Sequence, residues 1–315
     1  LKKMPMELHT KEGLNRALKH LENADPYKAH DELLALFYSD INNMELVFTG
    51  NYCNLWCEYL KTTLKIEDSF LKGEQLLIDW KNFISYIRRQ SDIFEPALFA
   101  LQKGIFSLAL NCFLAVKEEK DSIHKAAVFR KIGVCYKQLG EYPNAFKSLS
   151  DANDLHPYQA DILADLADCY ALTGDDRSAK VLFREAFFIE PSKIELDFLN
   201  SSLIRDIIDE LSEKNYPDSV LCCWIPVYAV LWGIFNVTRT LGSKDIAGIQ
   251  KEIFALENEN KNPSSNSEVI VPRLINLYFW LIDFYLKKNE NTNQVDKLLL
   301  KIKILDSSIY EQYVK

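Results

Sequence analysis

The sequence predicts an all-α chain built from antiparallel helical hairpins, and three observations carry that prediction. Two consecutive segments, 126–159 and 160–193, repeat one pattern of small and large residues at a spacing of 34: Tyr136 with Tyr170, Gly140 with Gly174, Ala145 with Ala179, Ala152 with Ala186, and Pro157 with Pro191. Glycine and proline number only 10 each among 315 residues while 48% of the chain is apolar, a balance that favours long helices. Apolar residues recur at steps of three and four, the period of a helix with one buried face.

Within the two segments each position has a packing reason for its size. Phe129, Ile132 and Tyr136 form an apolar stripe on the first helix of one hairpin, and Leu163, Leu166 and Tyr170 form it on the next. Gly133 and Ala167 interrupt those stripes with small side chains that let the second helix come close. Ala145, Ala152, Ala179 and Ala186 do the same from the other side, and Leu149 and Phe183 fill the space between. Gly140 and Gly174 follow the last apolar residues of the first helices, where a left-handed cap suits glycine. Pro157 and Pro191 stop the second helices.

This period and these positions resemble the tetratricopeptide repeat, whose unit is a helix, a turn and an antiparallel helix. The resemblance implies a right-handed α-solenoid of tetratricopeptide and tetratricopeptide-like hairpins. It also implies a non-enzymatic scaffold or adaptor that holds a partner protein in the groove of its superhelix. The groove residues carried over are Arg130, Lys131, Lys137, Asp161, Asp165, Asp168, Phe198, Leu199 and Arg205. Asp165 and Asp168 stand where chaperone-binding members of the family need neutral or positive groups, which disfavours a chaperone-tail adaptor. The acidic stripe reads either as a solvated face or as a docking stripe for a partner segment with basic residues.

The flanks divide the chain into zones at 1–89, 90–193 and 194–315. The first contains the helix start Asp25-Pro26 and an aromatic run through Tyr52, Trp56, Tyr59, Phe70, Trp80, Phe83 and Tyr86, spaced for helix cores. Gly104, Ala109 and Phe113 read as the turn, small and aromatic positions of a degenerate repeat that starts near Gln90. Ser192 and Glu195 read as a capping box for a helix carrying Ile194, Leu199, Leu203, Ile207 and Leu211. The polar run 257–268 reads as an exposed loop, followed by a last hairpin over Val271–Leu286 and Val295–Leu305.

The nearly continuous apolar run Val220–Phe235 is 16 residues long, against the roughly 20 that span a bilayer. It reads as a buried helix, or as an assembly contact covered by a neighbouring protein, and membrane association is disfavoured. Seven scattered cysteines do not look like a disulfide framework and point to a reducing, cytoplasmic compartment, with a bacterial periplasm as the alternative. Cys53 and Cys57 share a helical face without a second ligand pair, and the five histidines have no ligand spacing, so neither metal nor cofactor is expected. No phosphate loop, dinucleotide fingerprint or nucleophile elbow is present, so no enzyme is expected. A net charge of -8 disfavours nucleic acid as the main ligand. The first residues show no signal-peptide pattern, and a chain that opens Leu1-Lys2-Lys3 is expected to have lost an upstream part. Two other roles compete with the adaptor: a structural subunit of a bacterial envelope or flagellar assembly, and a helical regulatory domain of a larger enzyme.

Overall fold

A computed structural model describes residues 8–38, 40, 42–90, 92–117, 122–237, 239–262, 264–288 and 292–315. Among them the fold is all-α, with fifteen α-helices and no strand. The chain divides into two compact units, Leu1–His156 and Pro157–Lys315. The boundary lies near the junction of the two sequence repeats. One repeat hairpin therefore belongs to each unit.

In the first unit, α1 (Leu8–Glu22) and α2 (Pro26–Phe37) form a hairpin. Helices α3 (Met44–Thr63), α4 (Ser69–Ile87) and α5 (Glu95–Ala115) follow, each packed on its predecessor, and α1 packs against α5. Five helices thus close into a ring, and α6 (Ser122–Gln138) joins α5 and pairs with α7 (Tyr142–Leu155). The ring is filled by Tyr52, Trp56, Trp80 and Phe83 of the aromatic run. Trp80 lies 5.1 Å from Phe106 and 5.6 Å from Phe83 between ring centroids, and Trp56 lies 5.6 Å from Phe83. Such pairs add about 0.5–1.5 kcal/mol each beyond the area they bury.

Gly104 corrects the sequence reading. It sits in the middle of the unbroken α5, and a Cβ there would stand 2.1 Å from the Leu21 carbonyl oxygen and 2.8 Å from the Ala24 nitrogen. Its small size is demanded by the end of α1 crossing α5, which closes the ring, and not by a turn.

In the second unit, α8 (Ala160–Leu172) pairs with α9 (Asp176–Ile189), and two 3-10 turns at Pro191–Lys193 and Leu196–Phe198 lead to α10 (Ser202–Ser212). The expected helix over Ile194–Leu211 is therefore shorter and starts later, and Ser192 and Glu195 cap nothing that continues. Helix α11 (Asp218–Leu231) packs against α9, α10 and α13, with α12 (Ser243–Glu259), α13 (Ser267–Lys287), α14 (Thr292–Leu305) and α15 (Ser307–Val314) completing the unit. Val220–Ala229 are all buried, so the apolar run is the core of this unit and the chain itself supplies its cover. Gly233, at φ +69°, follows the end of α11, and the Ile234 N–H donates back to the Ala229 carbonyl at 2.8 Å. Trp232 alone of the large residues here is substantially open, at 41%.

Helices α5 and α13 are each 21 residues long and apolar enough to cross a membrane, with 50% and 61% of their apolar windows buried inside the fold, as core helices are.

Candidate functional site

The two repeat hairpins have the same turn, atom for atom. Gly140 and Gly174 take φ values of +76° and +89°. The Gly140 N–H donates to the Lys137 carbonyl and the Glu141 N–H to Tyr136, at 3.1 and 2.9 Å. Gly174 donates to Ala171 and Asp175 to Tyr170 at the same distances. This double bond is the Schellman cap, which satisfies carbonyls that a helix end leaves open. A third hairpin carries it too. Ala24 has φ +55° and donates to Leu21, and Asp25 donates to His20, both at 2.9 Å. Aligned on that turn, Ala17 falls on Gly133, Ala29 on Ala145 and Leu33 on Leu149. The sequence signal for this hairpin was the small residues at those positions, obscured because alanine replaces the turn glycine.

The nine residues carried over as groove positions differ in exposure. Arg130, Lys137, Asp165, Asp168, Phe198 and Leu199 are buried, while Lys131, Asp161 and Arg205 are partly exposed. Asp168 holds the start of α10. Its carboxylate accepts from the Asn200 N–H at 2.9 Å and from the Ser201 N–H at 2.8 Å, giving two backbone donors a charged partner where the helix dipole favours one. Lys131 pairs with Glu74 at 3.1 Å, Arg205 bridges to Asp209 at 3.2 Å, and Asp161 accepts from the Ile162 N–H at 2.9 Å. Leu199 belongs to the apolar core of the second unit. Asp165 and Asp168 are thus buried carboxylates and not a solvated face.

Two other places in the second unit are open. The first is a groove of about 270 Å³ walled by α12 and α14 over α13, with Ile253, Phe254, Leu281, Tyr285 and Leu298 as its apolar surface. Phe254 is 69% exposed. One end is tied by Lys301, which donates to Glu257 at 2.6 Å, and by the Tyr278 hydroxyl, which donates to the same oxygen at 2.7 Å. Burial, and then that bond to a carboxylate, push the Tyr278 phenol well above its ordinary range, so it stays a donor.

The second is a polar cluster beside residues 235–236 and 239–241. Arg184 is buried. It donates to the Phe235 carbonyl at 2.7 Å, pairs with Asp283, and lies with its guanidinium carbon 5.0 Å from the Trp280 ring centre. Its pKa is lowered chiefly by burial, opposed by Asp283. Arg239 donates through Nε to both Glu185 oxygens at 2.9 Å and through Nη1 to Asp245 at 2.9 Å, which ties it to α9 and α12. Cavities of about 420 Å³, lined by Phe235 and Asn236, and about 240 Å³, lined by Arg239, Thr240 and Leu241, share Asp283 as a wall.

Among the described residues no cysteine is in a disulfide, and burial pushes the Cys53 thiol up to about 12 and the Cys57 thiol up to about 11, far from a reactive thiolate. Among the described residues no three His, Cys, Asp or Glu side chains come together as metal ligands. No protein-family model matches the sequence and no curated protein matches it, so function is read from this geometry.

Proposed function

We propose that the protein is a non-enzymatic scaffold that holds a partner protein, with its repeat hairpins forming a tetratricopeptide-like right-handed solenoid segment. The observation that carries the reading is the groove over α13. Phe254 stands in water beside buried Leu281 and Leu298, an apolar slot with one tied end, and such slots take apolar side chains of a partner helix. The three hairpins with one turn chemistry support it, since repeated hairpins build binding surfaces by addition.

Affinity capture from the source organism's lysate tests this, with wild type beside Phe254→Arg and Trp232→Asp. Both replaced residues are open to solvent, and circular dichroism checks that both variants fold. A partner retained by wild type and Trp232→Asp but lost by Phe254→Arg is the expected result. Retention by Phe254→Arg places the contact elsewhere, and retention by none of the three counts against a scaffold.

A further inference from the structure

The charges on the two walls of the groove over α13 are sorted by side. On α12 the carboxylates Asp245, Glu252 and Glu259 recur every seventh residue, which keeps them on one face, and Arg239 and Arg273 bind the first two there. Phe254 stands about half a turn around the helix from them. Lys251, three residues before Phe254 and so beside it, is exposed and has no ion-pair partner among the described residues. Lys261, just past the end of α12, bonds to the neutral side chain of Asn258 at 3.3 Å. On α14 the groove residue Lys301 has Lys297 four residues before it on the same side. Lys297 is likewise exposed and without an ion-pair partner among the described residues. Asp296, two residues from the groove residue Leu298, falls on the far side of that helix. The one carboxylate in the described lining is Glu257, and Lys301 and Tyr278 already hold it. Both rims of the apolar groove are therefore basic, while the acidic side chains of its walls face elsewhere.

We propose that the groove binds an amphipathic helix of a partner protein whose apolar stripe is bordered by acidic residues. This rests on the scaffold reading and names the chemistry of its partner. The lining runs from Gln250 to Glu257 on α12 and from Gln294 to Lys301 on α14, about 10 Å along each wall at ~1.5 Å per residue, or two helical turns. Apolar side chains at steps of three, four and seven on the partner cover that length and enter beside Phe254, over Ile253, Leu281 and Leu298. Acidic residues along the edges of the stripe then meet Lys251 and Lys297, where lysines would meet like charges. The chain as a whole carries a net charge of -8 and repels acidic peptides at long range, so a preference for one has to come from these local lysines. Because the charge contacts lie at the rims, they choose the partner more than they hold it, and they weaken with added salt.

The test follows the fluorescence anisotropy of three labelled synthetic peptides titrated with the full chain. One is a helix with a leucine stripe flanked by glutamates, one has lysines in place of the glutamates, and one has the composition of the first in scrambled order. The glutamate helix is expected to bind saturably, with the other two at least about tenfold weaker. Lys251→Glu combined with Lys297→Glu, both at exposed positions, is expected to weaken the glutamate helix by about tenfold or more and to strengthen the lysine helix. Lys303→Glu, exposed on the other side of α14, is expected to change neither. No saturable binding of the glutamate helix overturns the proposal, as does equal binding of the lysine helix or the scrambled peptide, or a double variant that behaves like Lys303→Glu. Any of these outcomes leaves the scaffold reading standing when Phe254→Arg still loses the partner captured from lysate. If Phe254→Arg loses nothing there, the groove is not the contact and both readings of it fall.

Discussion

At the scale of single residues, Asp168 shows how a charge on a helix can be misread when only its neighbours in sequence are known. At a step of three from Asp165 it looks like part of a solvated face, yet its carboxylate lies buried against two backbone N–H groups that start another helix. Removing it leaves both donors without that partner. Asp168→Ala is expected to cost about 3 kcal/mol in urea unfolding. Asp168→Asn, whose amide oxygen still accepts, is expected to cost less than half of that. Glycines make the same point about size. Gly104→Ala would drive a Cβ into backbone atoms that have no freedom to move, and is expected to cost about 3 kcal/mol or more. Gly13→Ala meets only the end of the flexible Leu36 side chain and is expected to cost about 1 kcal/mol.

At the scale of elements, the three hairpin turns form a matched series. Nothing stands within 4 Å of a Cβ built on Gly140 or Gly174, so the cost of alanine there is the left-handed backbone alone, about 1 kcal/mol at each site. Ala24 already bears that strain, so Ala24→Gly is expected to leave stability unchanged or raise it by up to about 1 kcal/mol, the opposite sign from the other two turns. The start of α12 is a second element with a definite pH signature. Asp245 is lowered below its ordinary value by its bond from Arg239 and then by the Gly242 N–H. A carboxylate whose folded pKa is depressed stabilises above its unfolded pKa, and that stability is lost as pH falls through the folded value. Asp245→Asn is therefore expected to cost about 1 kcal/mol at neutral pH, with the difference shrinking below about pH 4. Glu185 has the opposite sign. Burial raises its pKa, so the folded state holds its proton more tightly, and its ionisation subtracts stability as pH rises from its ordinary value through the folded one. Glu185→Gln is expected to flatten that part of the stability profile.

At the scale of the whole molecule, what was legible in the sequence follows from what is local. Helices, the two repeat turns, the aromatic core of the first unit and the final hairpin are written in steps of three and four, in glycines at turns, and in proline stops, all within a dozen residues of one another. The ring closure through Gly104, the capping of α10 from α8 and the contact of Arg239 with α9 are between distant segments, and no spacing encodes them. The apolar run Val220–Phe235 lay between these cases. Its burial could be foreseen, but only the packing of α9, α10 and α13 around it shows that its cover comes from the chain. That distinction yields a clear contrast. Trp232 is 41% exposed, so Trp232→Asp is expected to cost about 1 kcal/mol and leave the fold intact. Ile225 is wholly buried in the same helix, and Ile225→Asp puts an unpaired charge into the core of the second unit, a loss comparable to the entire stability of a domain. Hydrogen exchange on Ile225→Asp is expected to show protection collapsing from α8 to α15. Helices α1–α5, which close their own ring around Trp56, Trp80 and Phe83, are expected to keep theirs, because α1 packs back on α5 and these aromatic contacts all lie inside the ring. Simultaneous loss of protection in α1–α5 would show instead that the ring is not stable by itself and that the two compact units unfold as one cooperative body.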